Sequence, residues 1–245
     1  MEVTLIFFSF VSGFLNGIGS SGGMLFMSVM LLNGFHPIVA TATNKVIALI
    51  GSFGALYNYW EHSDSLKSLK YLLAFSVVGV VMGSMIALSI EEVLIGKVYT
   101  LLTFALLLLL LFSRKIKVKG VNKRYSDFII GTVSGVYNGF FGPGTIVVTS
   151  LQLRMLANFS NKKSLSTAVL INTLTNAIAC LVLGVGILAI FDLDLSLLLC
   201  LLIFNVAGQF FGSKMAIKTN AKYIDIVSKV TLIALLIVLL YEFWL

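Results

Sequence analysis

Apolar residues fill this chain in long runs. Continuous stretches at about 37–60, 70–90, 94–113, 163–189, 194–214 and 223–244 can each form a helix across a hydrocarbon core of ~30 Å, which takes ~20 residues. Two further stretches, 3–33 and 127–158, are as apolar but broken in the middle. The breaks read GFLNGIGSSGG from Gly13 to Gly23 and GVYNGFFGPGT from Gly135 to Thr145. The first places five glycines, two serines and an asparagine in eleven residues, and the second holds Pro143, one of only two prolines in the chain. Glycine lets a backbone leave the helix, and irregular backbone at membrane depth is tolerated only where protein buries it or it lines a polar cavity.

The breaks also belong to an internal repeat. GFLNG at Gly13–Gly17 returns as GVYNG at Gly135–Gly139, an offset of 122, and GVVMGSMIA at Gly79–Ala87 returns as GQFFGSKMA at Gly208–Ala216, an offset of 129. Lys97-Val98 and Lys229-Val230 each open a last leucine-rich run. The order is preserved, so the chain reads as a first repeat over 1–113, a basic linker over 114–124 and a second repeat over 125–245, within one membrane domain. The linker, RKIKVKGVNKR, carries six of the seventeen Lys and Arg residues.

Charge decides how the halves face. With eight full crossings, the loops holding Lys162/Lys163 and Lys214/Lys218/Lys222 would lie outside while Asp192 and Asp194 lay inside, against the positive-inside rule. If the two broken segments instead dip in and return, those loops, the linker, Arg154, Lys67 and Lys70 all become cytoplasmic, and Glu91/Glu92 and Asp192/Asp194 face outward. The 31 residues of 3–33 make ~46 Å of helix, too short for two crossings. The predicted fold is therefore an all-α integral membrane protein of two inverted repeats, each a glycine-broken re-entrant helical hairpin plus three transmembrane helices. Both termini are expected outside.

Composition narrows the function. Hydrophobic residues make up 59% and charged residues 11%, which leaves no stretch for a soluble domain. The net charge of +7 sits at span ends and in the linker, as a membrane surface requires, so no nucleic-acid partner is expected. MEVTLIFFSF lacks a basic leading region and is read as part of the fold. Cys180 and Cys200 fall within spans and read as packing residues, and His36 and His62 have no metal-ligand spacing. No Ser/His pair, paired intramembrane Asp or His-rich cluster is present, so an enzyme, a metal and a cofactor are not expected. Tyr57, Tyr59, Trp60, Tyr71, Tyr125 and Tyr223 sit at span ends as an aromatic belt.

At the glycine-rich turns, above all GVYNGFFGPGT at 135–145, at ATATNK over 40–45 and at the two GxxxGSxxA helices, the sequence resembles the sulfite exporter TauE/SafE family of membrane transporters. The likeness covers essentially the whole chain. It departs at GIGSSGG, where a denser glycine run is common, and at Ile146, where a further glycine is frequent. The resemblance implies a multi-pass carrier in a bacterial or archaeal plasma membrane that exports small sulfur-containing anions such as sulfite and organosulfonates.

An oxyanion at membrane depth needs donors and positive potential. Helices starting after the two turns would aim amides and positive dipole ends into a shared cavity. The candidate substrate-binding residues are Asn16, Gly19, Ser20, Ser21, Gly22 and Gly23 in the first turn, and Asn138, Gly139, Gly142, Gly144 and Thr145 in the second. Thr43, Asn44 and Lys45 follow in the first full span, and Asn172 and Asn176, one turn apart, in its counterpart. Two roles are open to Lys45, a full positive charge for the ligand or a side chain that snorkels to the headgroups. Asn172 and Asn176 are open to ligand binding or to interhelical hydrogen bonding alone. Expected partners are a small anionic substrate and the lipid bilayer, with a homodimer left open. The expected mechanism is alternating access, and the alternative is a secondary carrier for another small anion or for a neutral metabolite.

Overall fold

The computed structural model describes residues 2–62, 66–90, 92–112, 122–183, 194–219 and 221–244. Most of the linker, the end of the 163–189 run, Glu91 and Asp192 lie outside the described residues. Among the described residues there are ten α-helices and no strand. The first half holds α1 (Glu2–Gly17), α2 (Gly22–Leu32), α3 (Pro37–Tyr59), α4 (Lys70–Ser89) and α5 (Glu92–Phe112). The second holds α6 (Lys123–Phe140), α7 (Thr145–Leu156), α8 (Asn161–Val182), α9 (Leu195–Ala216) and α10 (Ala221–Trp244). Five stretches are long and apolar enough to cross a membrane: Val39–His62, Lys70–Ser89, Asn161–Val182, Leu195–Ala216 and Lys222–Tyr241. The chain is a multi-pass membrane protein.

Local chemistry sets several helix ends. Pro37 opens α3 at a first-turn position where its missing N–H costs nothing. Asn122 caps α6 by accepting from the Arg124 amide at 2.9 Å, and Asp194 caps α9 by accepting from the Ser196 amide at 3.0 Å. The side-chain and backbone hydrogen bonds from Ser196 hold the Asp194 carboxyl below the usual carboxylate range.

Both glycine-interrupted runs break where the sequence places the break. Gly22, the first residue of α2, lies against the Ser12 carbonyl of α1, so the chain has doubled back. Ser134 of α6 reaches Gln152 of α7 at 3.4 Å, the same reversal in the second half. The arms are unequal: α1 has 16 residues and α2 has 11, while α6 has 18 and α7 has 12.

The glycine-marked helices pack as close crossings, and they do so between the halves. A Cβ on Gly208 or Gly212 of α9 would strike the backbone of Phe10 or Phe14 in α1, and one on Gly13 or Gly17 would strike Asn205 or Gln209. Ser9 donates to the Leu201 carbonyl at 2.7 Å and Asn205 donates to the Ser9 carbonyl at 2.9 Å. Contacts advance together along both helices, so α1 and α9 run parallel. The equivalent crossing joins α4 and α6, where Gly131, Gly135 and Gly139 meet the Leu72, Ser76 and Val80 carbonyls in order. Small residues let backbones approach this closely, which is how helices gain contact where lipid removes the hydrophobic drive.

Two apolar clusters fill the interior. One is built from Leu5, Met24, Met27, Ile47, Tyr99, Phe141, Leu201 and Leu235 among others. The other draws on the ends of α3, α7 and α9 and the starts of α4, α6, α8 and α10, with Tyr59, Leu72, Leu153, Leu165, Ala216 and Ile224. Basic side chains gather at the end the second cluster occupies. Lys70 and Arg124 both lie over the Tyr71 ring, Lys123 and Lys163 line one pocket, and Arg154 pairs with Asp225 at 3.6 Å. Tyr57, Trp60, Tyr71, Tyr125 and Tyr223 are exposed, as a belt requires. Tyr59 departs from that expectation: it is buried, and its hydroxyl donates to the Gly17 carbonyl at 2.8 Å, serving a backbone group freed where α1 ends.

Candidate functional site

The first turn closes on its own backbone: Gly19 donates to the Asn16 carbonyl at 3.0 Å and Ser20 to the Leu15 carbonyl at 2.9 Å. The Asn16 side chain then accepts from the Gly23 amide at 3.0 Å, taking one of the donors that the start of α2 leaves free. In the second turn the Phe141 and Gly142 amides share the Tyr137 carbonyl, at 2.8 and 3.1 Å. Gly142 and Gly144 have φ of +95° and +84°, a left-handed backbone that glycine adopts without penalty. The Tyr137 hydroxyl donates to the Pro143 carbonyl at 2.9 Å, and the Thr145 hydroxyl to the Gly142 carbonyl at 2.6 Å.

The two turns are not chemically equal. Asn138 occupies the place in its turn that Asn16 occupies in the first, but its amide donates to Thr175 at 2.5 Å. The start of α7, after Gly144, has no side-chain cap.

Between the turns lies a polar cavity that includes Asn16, Ser20, Gly23, Asn44, Gly142, Gly144, Thr145, Asn172 and Asn176 from the expected set, with Ala48, Pro143 and Ile146 added. It leaves about 10 Å³ for the centre of a water-sized sphere, close to what one water molecule needs. Apolar clusters flank it. Gly144 lies against Met24 and Leu106 of the first, Gly19 against Leu165 of the second, and Ile146 belongs to both wall and cluster.

The other expected residues sit behind this wall. Gly22 and Gly139 are spacers, pressed against the Ser12 and Val80 carbonyls. Gly19, with φ +83°, makes the turn itself. Ser21 and Thr43 are buried with hydroxyls that find no partner, as is the Asn138 side-chain oxygen. Asn176 does line the cavity, and its amide nitrogen is also without a partner.

Lys45 is 1% exposed and does not snorkel. Its ammonium donates to the Asn138 carbonyl and lies against Gly142, one wall of the cavity. Among the described residues no carboxylate pairs with it. Lys45 belongs to the first half and the turn it touches to the second, a pairing of halves that the sequence spacing does not reveal.

Fold and site together define a multi-pass membrane protein with a polar cavity between two helix breaks. A family model described as Sulfite exporter TauE/SafE matches residues 5–241, and the chain belongs to that family. A "Probable membrane transporter protein" of Haemophilus influenzae is 30% identical over 172 residues, 68% of each chain. The "Probable membrane transporter protein YfcA" of Escherichia coli is 27% identical, covering 86% of this chain and 77% of its own. The "Probable membrane transporter protein ORF9" of Sinorhizobium sp is 28% identical over 96% of this chain and 90% of its own. No solved structure matches the chain.

Proposed function

We propose that this transporter exports a small sulfur-containing oxyanion, of the sulfite or organosulfonate class, by alternating access between two inverted halves. One observation carries the reading. A buried ammonium that among the described residues has no carboxylate partner stands behind the wall of a polar cavity, and a helix start without a side-chain cap opens into that cavity. Burying a charge in a membrane interior is costly, and a negative ligand relieves that cost. Amides at a helix start supply the donors an oxyanion requires.

The packing supports inversion. Helix α1 runs parallel to α9, and α4 runs parallel to α6. α3 also runs with α9, since Gly51 meets Asn205 and Asn58 bonds Ser213. The end of α3 and the start of α4 share one apolar cluster, which supports an antiparallel pair and hence α6 opposing α1, the relation inverted repeats demand. The gathering of Lys70, Lys123, Arg124, Arg154 and Lys163 at one end supports a cytoplasmic assignment for that end. Both termini then lie outside and the linker inside, in a bacterial or archaeal plasma membrane. The cavity has room for about one water, and apolar residues of both clusters pack near it, which is consistent with the two barriers that alternate opening needs. An inside-negative potential drives an anion outward with ~2.3 kcal/mol per charge per 100 mV.

Flux of labelled sulfite and methanesulfonate in proteoliposomes of the purified chain tests this. Efflux that rises with an inside-negative potential is the expected result. Transport of neutral metabolites with no movement of any oxyanion overturns it.

A further inference from the structure

The cavity also bears on the charge of its ligand, an inference that rests on reading it as an anion site. Among the described residues, the formal charge at the cavity reduces to one, the Lys45 ammonium behind Gly142. The polar wall is otherwise neutral, made of the carboxamides of Asn16, Asn44, Asn172 and Asn176 with the hydroxyls of Ser20 and Thr145. Donors are unevenly distributed. The Asn16 oxygen already occupies the Gly23 amide, whereas the start of α7 has no side-chain cap. Asn176, 1% exposed, has an amide nitrogen with no partner at the same wall.

We infer that the site takes a monovalent oxyanion, held on the second hairpin by the start of α7 and by the Asn176 amide, and that it rejects dianions. One ammonium balances one negative charge. A second, unbalanced charge at membrane depth disfavours the ligand on the order of a hundredfold. Neutral donors orient the oxygens but add no countercharge. At the first hairpin the Asn16 oxygen takes the Gly23 amide, a bond with no counterpart from a side chain at the start of α7 among the described residues, and the second hairpin therefore carries more of the ligand.

Three oxyanions separate the possibilities in the wild-type protein, so no variant needs to fold. Methanesulfonate is a monoanion at every pH of interest, sulfate is a dianion, and sulfite passes from monoanion to dianion near neutrality. In proteoliposomes of the full chain, from mildly acid pH up to neutrality, a range kept below the titration of Lys45 and of the Cys180 thiol that faces it, methanesulfonate flux is expected to stay flat and sulfite flux to fall. Sulfate flux is expected to lie at least about tenfold below methanesulfonate. Sulfate carried as fast as methanesulfonate, or sulfite flux that rises with pH, overturns the monoanion assignment and leaves anion transport standing. No flux with any of the three removes both. Asn176→Asp puts a negative charge into the wall the ligand meets and is expected to cut methanesulfonate flux at least about tenfold. Unchanged methanesulfonate flux in that variant overturns the placement on Asn176.

Discussion

Replacing Lys45 with Met separates the two things a buried lysine can do. Its ammonium is 1% exposed and donates to the Asn138 carbonyl. Exchanging buried charged groups for apolar side chains of similar volume is often neutral or stabilising, by ~1–4 kcal/mol for a whole ion pair or triad, and a single unpaired ammonium is taken on the same scale. Against this, the Asn138 carbonyl loses its donor, and a buried acceptor without a partner costs about 1–3 kcal/mol. The two effects nearly cancel, so Lys45→Met is expected to unfold within about 2 kcal/mol of the wild type. Transport behaves differently. An anion in the cavity then finds neutral donors and no countercharge, and flux is expected to fall on the order of a hundredfold. Thermal unfolding followed by Trp60 and Trp244 fluorescence reads the first quantity, and labelled sulfite flux in proteoliposomes reads the second. A large loss of stability would make Lys45 a latch between halves, and undiminished flux would refute the role of its charge outright.

Asn16→Ala removes the side-chain acceptor of the Gly23 amide and is expected to cost about 1 kcal/mol of stability, seen as a lower unfolding temperature in detergent. Gly212→Ala puts a methyl group into the Phe14 backbone and is expected to cost about 1–3 kcal/mol, measured the same way. The Arg154–Asp225 pair has side chains 25% and 15% exposed, so a double-mutant cycle with Arg154→Gln and Asp225→Asn is expected to give a coupling below about 1 kcal/mol after solvent screening. A coupling of several kcal/mol there would mean the pair is shielded from water in a way its exposure does not convey.

The sequence makes some of this legible and hides the rest for identifiable reasons. Glycine with serine or asparagine at membrane depth has few explanations, so both turns can be placed from residues 13–23 and 135–145, and the helices do break there. Asn172 and Asn176 share a helical face by spacing alone, and both line the cavity. A GxxxG pair announces a surface for close approach but not its partner, so the pairing of Gly208 and Gly212 with α1 is invisible until the chain is folded. Asn16 reads from its type and place as a substrate-binding residue, and the bond its oxygen accepts from the Gly23 amide of its own hairpin shows only in the fold. Tyr59 reads as a belt residue because it stands at a span end, and the buried Gly17 carbonyl, freed where α1 ends, decides otherwise. Ala48 and Ile146 line the cavity with no signal, because an apolar side chain in an apolar chain carries no mark of its surroundings.

The crossing of α1 with α9 bears on how the protein is made. Ser9 and Asn205, which bond each other, are 196 residues apart in the chain. During synthesis α1 therefore enters the bilayer long before the helix it must pair with has left the ribosome, and its small-residue face and Ser9 stay unmatched meanwhile. The first half cannot be finished before the second arrives. A nascent chain halted after α5 would present that uncovered face to whatever insertase or chaperone tends it, and a split version of the protein should reassemble only when both pieces are inserted together.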